Sequence, residues 1–494
     1  MASRVPRPVA ARAAAAALAA GLVALAAGCG GDDGPSSHAP WSIVEDHTPL
    51  IRSGPERREQ TLRELRRLGA DTLRLGVKWN EVAPASRSAR RPSFDAADPA
   101  RYPGFGPYDD VVRRAQRLGL RVLLALAPDA PRWATADRAP LGTATGNHRP
   151  DAREFGRFAA AVGRRYSGDF EGLPRVEWFS LWNEPNHHFF LKPGDEAPRV
   201  YRRMVAAALP ALRAAAGENA KVLVGETAPV GRPGTVIGPR EFLRRWLCLD
   251  DSLAPTPAAP GCRGFGGFRV DGFAHHPYGP ASRIPQKADI ISLLVIRRLG
   301  RYLDRAAAAR RLPRRLPIYS TEFGLQSNPP DPTVGNSTAR QAALINEKEE
   351  QSYRYPRLRS YAQYLLWDDP PRPGATEEEV WSGFQTGLRF HEGPAKPAYR
   401  AYRLPFVVQR ARGGGVRVWG RVRPGSGERA VQLERRRDGR FAAVGERRQT
   451  DDAGYFEVRL ARRASYRFTA YDSEGERVGR SRVAAPIAAT PPPD

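Results

Sequence analysis

The chain has 494 residues, 41% of them hydrophobic and 9% aromatic, so it can bury a sizeable core and does not read as disordered or low-complexity. That length exceeds one usual compact core and points to one large domain with a smaller companion. A formal net charge of +25 invites nucleic-acid binding, but the arginines are scattered over many expected helix faces. No nucleic-acid partner is therefore expected, and attraction to anionic lipid or acidic polysaccharide fits the charge better.

In chain order, arginines at positions 4, 7 and 12 come first, then an apolar run from Ala13 to Ala27, then Gly28 and Cys29. The run is shorter than the ~20 apolar residues that cross a bilayer, and the basic-apolar-small order is that of an export signal. Leu25 to Cys29 (LAAGC) resembles a bacterial lipobox, with Ala26 where the pattern prefers Leu. The expectation is a signal peptide over 1–28, lipidation of Cys29 and a Gly/Pro/Ser-containing tether over 29–40. The mature chain would then sit on the extracellular face of the cytoplasmic membrane, held by its lipid. An ordinary secretory peptide releasing a secreted protein is the alternative. Cys248 and Cys262 remain, flanking the Pro- and Ala-rich stretch LDDSLAPTPAAPG, and an exported chain is expected to join them in a disulfide.

From residue 41 short apolar runs alternate with amphipathic stretches, the signature of βα units on a parallel sheet. The expected strands are Trp41 to Val44, Thr72 to Val77, Arg121 to Ala127, Val176 to Leu181, Lys221 to Gly225, Val270 to His275, Pro317 to Thr321 and Tyr361 to Trp367. Expected helices include Glu56 to Leu68, Asp109 to Leu118, Ala152 to Tyr166, Pro198 to Ala215, Ala288 to Arg311 and Thr338 to Glu350. Eight strands with crossover helices over 41–404 fit an α/β fold, a (β/α)8 TIM barrel. An open doubly wound sheet is the runner-up, disfavoured because no Gly-rich phosphate loop follows the first strand. From Pro405 the pattern changes to short alternating runs such as VRVWGRV and GYFEVRL between Gly- and Asp-containing turns. A small all-β sandwich over 405–483 is expected, then a loose tail over 484–494.

Reacting groups in such barrels sit at the C-terminal ends of the strands. Two carboxylates stand out there, Glu184 after strand four and Glu322 after strand seven. Both can point into one central pocket, the arrangement that glycosidic cleavage by paired carboxylates requires. Arg74, a charge inside the apolar strand TLRLGV, needs a buried partner, and Glu322 is the candidate. Trp367, at the end of strand eight, offers a flat face for a sugar ring. His275 and His276 have no third ligand at usable spacing, so no metal is expected, and His275 also reads as a packed core residue.

WNEPN after strand four and TEFG after strand seven resemble the catalytic strands of glycoside hydrolase clan A, with family 39 closest in character and family 5 next. The resemblance covers roughly residues 41–404. It implies Glu184 as general acid/base and Glu322 as nucleophile of a retaining enzyme that needs no cofactor and acts on oligo- or polysaccharide. It further implies that Asn183 binds a sugar hydroxyl, that Arg74 keeps the nucleophile ionised, and that His276 and Tyr278, from FAHHPY, contact nucleophile and sugar. Glu322 is accordingly expected to have a lowered pKa beside Arg74, and Glu184 a raised one. A non-catalytic glycan-binding lipoprotein on the same barrel is the rival from another class. Every candidate residue precedes the sandwich, so a barrel ending near Leu404 is expected to act alone if it folds.

Overall fold

A computed structural model describes residues 39–135, 145–279, 289–376, 379–425 and 429–489; the expected signal peptide over 1–28, Cys29 and most of the expected tether over 29–40 lie outside the described residues. Eight parallel strands form the barrel: β1 (Trp41–Glu45), β2 (Thr72–Lys78), β3 (Arg121–Ala127), β4 (Trp178–Leu181), β5 (Lys221–Thr227), β6 (Gly272–His275), β7 (Ile318–Ser320) and β8 (Ser360–Tyr364). β1 to β7 pair in chain order, and β8 pairs with β1 from Trp41–Ser360 to Glu45–Tyr364. The ring closes between β7 and β8, where the Arg359 amide donates to the Ile318 carbonyl at 2.8 Å and the Ser360 hydroxyl to that of Ser320 at 2.9 Å. Strands covered on both faces must be apolar throughout, which is why Leu73, Leu75 and Val77 of β2 and the run Val122–Leu126 of β3 are all buried.

The expected elements are present with shifted ends. The helix expected over 288–311 occupies only Arg297–Ala308, after a single turn at Leu293–Val295; its first expected residue lies outside the described ones. A helix not anticipated, Pro239–Trp246, fills the long β5–β6 connection. Just beyond it the Cys248–Cys262 disulfide is formed, with Cα atoms 5.7 Å apart. Among the described residues no helix is long and apolar enough to cross a membrane.

The C-terminal region is β-rich as expected. Phe406–Arg410, Val416–Arg421 and Tyr455–Leu460 form one antiparallel sheet, while Ala430–Arg437 pairs with Arg440–Ala443, Arg448–Gln449 and Tyr466–Tyr471 in another. Between them pack Phe406, Val408, Val418, Val431, Leu433, Phe456 and Phe468. The described start of the tail expected over 484–494 is hydrogen-bonded: Ala484 exchanges two backbone hydrogen bonds with Tyr466, and Ile487 bonds to Val408 and Arg410, while 490–494 lie outside the described residues.

This region is fastened to the barrel by a buried charge. Arg423 is completely buried and donates to both carboxylate oxygens of Glu349 at 2.6 and 3.0 Å, to the Tyr402 carbonyl at 2.6 Å and to the Ser42 hydroxyl at 2.9 Å. Glu349 lies on the helix Thr338–Tyr353, and Ser42 is in β1. Gly69, which ends the helix Pro55–Leu68 with φ +84°, makes room: a Cβ there would lie 2.4 Å from that of Arg423.

Candidate active site

The C-terminal ends of the strands open into a cavity of about 970 Å³ lined by Glu45, Arg74, Asn183, Glu184, Tyr278 and Glu322 among others. The structure thus brings five of the expected residues to one place, and His276 lies directly beneath them. Arg74 is the hub. Its guanidinium is buried, pairs with Glu45 at the end of β1, donates to Asn183 Oδ1 at 2.7 Å, and contacts Glu226 at 3.2 Å and Glu322 at 3.5 Å. Burial disfavours its charge, but Glu226, Glu45 and Glu322 together raise its pKa still further.

His276 is the second hub, with no exposed surface. Its Nδ1 lies 2.9 Å from Glu184 Oε1 and 3.6 Å from Glu322 Oε2, and its Nε2 lies 2.6 Å from Glu226 Oε2. Burial works against the charged ring, but Glu322 and the hydrogen bonds to Glu184 and Glu226 win and raise it to about 10. The Tyr278 hydroxyl donates to Glu322 Oε1 at 2.8 Å, and burial beside that carboxylate lifts the phenol well above its usual range. His275 is a different residue in kind: it bridges Thr227 and the Ile291 carbonyl, and burial takes it down to about 3, so it is a neutral core group.

Glu322 departs from expectation. Burial pushes its carboxyl up to about 7, with His276 and Arg74 pulling down and Glu45 and Glu184 pushing the same way as burial. The nearby arginine does not prevail because Glu45 and Glu226 already draw on its charge. Among the described residues, four carboxylates, Glu45, Glu184, Glu226 and Glu322, pair with just Arg74 and His276 as counter-charges, so the site favours holding a proton on one of its acids.

Glu226 was not anticipated. It is fully buried on β5 and accepts from His276, Arg74 and, at 2.7 Å, the Thr321 hydroxyl. Burial would raise its pKa, but Arg74 and His276 hold it at about 2. The β5–β6 pairing skips a residue between Gly225 and Thr227, making Glu226 the extra residue of a bulge that turns its side chain into the barrel. Gly225 permits this with φ +106°, where a Cβ would lie 2.7 Å from the Ala274 carbonyl. Glu45 was missed too. Both acids directly follow apolar runs, WSIV and VLVG, and the rule that singled out Glu184 and Glu322 applies to them equally.

Trp367 does not reach the cavity. The strand stops at Tyr364, the backbone turns at Leu365 with φ +72°, and the Trp367 ring is covered by the Arg57 guanidinium at 4.1 Å. Besides Tyr278, aromatic lining comes from Phe189, Phe190, Tyr364 and Phe384, of which Phe189 and Phe384 are 59% and 44% exposed. One oxygen or nitrogen each from Glu184, His276 and Glu322 lies within 4.8 Å of the others, a grouping that invites a cation. Both nitrogens of His276 face carboxylates, and a ring protonated on both sides would have no lone pair to give a metal.

No protein-family model matches the chain, and no curated protein matches its sequence. Solved structures do resemble its backbone. A glucosidase from Croceicoccus marinus aligns at 14% identity and TM-score 0.47 over 83% of this chain and 89% of its own. GH5_18 from Streptomyces cattleya in complex with GlcNAc aligns at 16% and 0.46 over 74% and 79%. An endo-1,4-β-mannanase from Rhizomucor miehei aligns at 13% and 0.41 over 69% and 89%.

Proposed function

We propose that this chain is a retaining glycoside hydrolase acting on a β-linked oligo- or polysaccharide. The observation that carries the reading is that Glu184 and Glu322 bring carboxylate oxygens within 4.8 Å of each other at the floor of one open cavity. Carboxyl groups ~5–5.5 Å apart suit direct attack on the anomeric carbon, whereas inversion needs room for a water and ~6.5–9.5 Å. Glu322, oriented by Tyr278 and Arg74, attacks the anomeric carbon while Glu184 protonates the leaving oxygen. Glu184 then takes a proton from water, whose oxygen displaces Glu322 from the sugar. Asn183 spends its carbonyl oxygen on Arg74, which directs its amide NH2 toward a sugar hydroxyl. Phe189 and Phe384 replace Trp367 as the apolar faces for the substrate. No cofactor takes part in this scheme.

The substrate partner is a glycan, and we read the chain as an exported lipoprotein anchored through Cys29. A panel of polysaccharides and aryl glycosides tests the enzymatic reading, with NMR of the first-formed anomer on any substrate cleaved. Retained configuration and covalent labelling of Glu322 by a 2-deoxy-2-fluoro glycoside are expected. Inverted product, labelling of another carboxylate, or glycan binding without turnover across the panel would sink it, the last in favour of a glycan-binding protein.

A further inference from the structure

We propose that Glu226 is a positioning residue that keeps His276 protonated on both ring nitrogens, so that the Nδ1–H serves Glu184 and Glu322 in turn. Neither acid of the double displacement is Glu226, and it is cut off from the cavity by complete burial. Its Oε2 nevertheless gathers three donors, from Arg74, Thr321 and His276, the last at 2.6 Å. A neutral imidazole carries one N–H. Here Nε2 faces Glu226 and Nδ1 faces Glu184 and Glu322, so two protons are needed to satisfy acceptors on both sides.

The groups that face the ring come from each element packed against it. They are Glu184 after β4, Glu226 in the β5 bulge and Glu322 after β7, with neutral His275 preceding it on β6. Arg74 reaches Glu226 rather than the ring. A carboxylate with no solvent contact and an arginine beside it keeps its charge throughout, which makes Glu226 the fixed counter-ion of the pair.

The use of such a pair rests on the retaining reading. When the glycosidic C–O bond breaks and the Glu322–carbon bond forms, the proton of Glu184 leaves with the aglycone, so negative charge moves from Glu322 to Glu184. In the second step water gives its proton to Glu184 and its oxygen to the sugar, and the ester electrons return to Glu322. The His276 Nδ1 atom lies 2.9 Å from an oxygen of one carboxylate and 3.6 Å from an oxygen of the other, so one stationary cation sits beside the charge at both positions. Glu226 prevents that cation from being lost by deprotonation of the ring.

The sign of the effect follows from the direction of the shift. The His276 cation is present below its raised pKa and is lost as pH rises through it, so removing the Glu226 charge brings that loss to lower pH. The test uses the full chain labelled with 15N-histidine, with the His276 resonance identified by its absence in His276→Asn. Wild-type His276 is expected to show two ring protons through neutral pH. Glu226→Gln should lower its titration by about one to three pH units, move the alkaline limb of kcat/KM with it, and be partly rescued by Glu226→Asp. A single ring proton on wild-type His276 at pH 7 overturns the proposal even if Glu226→Gln fails to fold. So does a folded Glu226→Gln protein whose His276 titrates as in the wild type. A wild-type chain that cleaves no glycoside defeats the hydrolase reading instead, and the ring protons still decide the role of Glu226.

Discussion

The backbone amide of Glu184 donates to the carbonyl of Glu226 at 2.9 Å, and both residues sit in left-handed backbone, with φ of 39° and 46°. Such conformations cost of order 1–3 kcal/mol each and persist only where their surroundings enforce them. Asn186 supplies part of that enforcement, donating to the Ala228 and Ile237 carbonyls and accepting from the Ala228 amide. The turn that presents Glu184 is therefore held by its backbone and the Asn186 side chain and not by the Glu184 carboxylate. Glu184→Ala should fold normally and lose about 10²–10⁴ in rate on substrates with poor leaving groups. Activated aryl glycosides should still turn over, faster with azide, whereas Glu322→Ala should leave no turnover of the same compounds.

The raised carboxyl of Glu322 sets a pH limb. A nucleophile must be ionised, and a folded pKa of about 7 means that the active form is lost as pH falls through neutrality. Glu45 is one of the charges that push it there, and it also occupies Arg74. Glu45→Gln should therefore move the acid limb of kcat/KM to lower pH. An unchanged or raised limb in a folded variant counts against the electrostatic account.

Removing one partner of a buried ion pair leaves the other charge stranded, at a cost of about 3–5 kcal/mol. Arg423→Gln does most of this to Glu349, which is 1% exposed and keeps only the longer contact to Arg421 at 3.5 Å. Denaturant unfolding should show a loss of that size, while kcat/KM of the folded fraction stays near wild type because the pair lies away from the cavity. A chain ending near Leu404 should suffer more, since it exposes the barrel surface under Arg423 and Gly69 as well. A barrel ending near Leu404 is thus expected to keep its chemistry where it folds, at lower stability. Equal stability of wild type and Arg423→Gln would refute this.

The basic, apolar and Gly-Cys order of the N-terminus predicts that the mature chain partitions into detergent. Cys29→Ser should shift it to the aqueous phase or alter its processing. An unchanged membrane fraction would remove the lipid anchor from consideration.

The barrel was legible because strands covered on both faces must be apolar runs, and eight such runs recur between amphipathic stretches. Glu184 and Glu322 were legible because each breaks a run with a carboxylate where the chain leaves the sheet. Glu226 meets the same rule, directly after the run VLVG, but the bulge at Gly225 that aims it inward leaves no mark in the sequence pattern. Trp367 misled for the opposite reason: the apolar run LLW continues after Leu365 has already turned the backbone away. The exposed Phe189 and Phe384 carry no periodic signal at all, since they sit on connections whose shape depends on what they pack against. Arg423 is one arginine among many in the sequence, and only complete burial distinguishes it.

Ser42 belongs to the first strand of the barrel, yet its hydroxyl accepts hydrogen bonds from Arg421 and Arg423, 379 and 381 positions later in the chain. For a chain that begins to fold as it emerges, N-terminus first, the opening strand stays incompletely bonded until nearly everything else has appeared. Local βα units gain nothing from waiting, but the closing of the ring does, because contacts so distant in sequence are the slow ones to form. Late mutations near residue 423 would then register as an early strand left exposed to aggregation or proteolysis, at the opposite end of the sequence from the change itself.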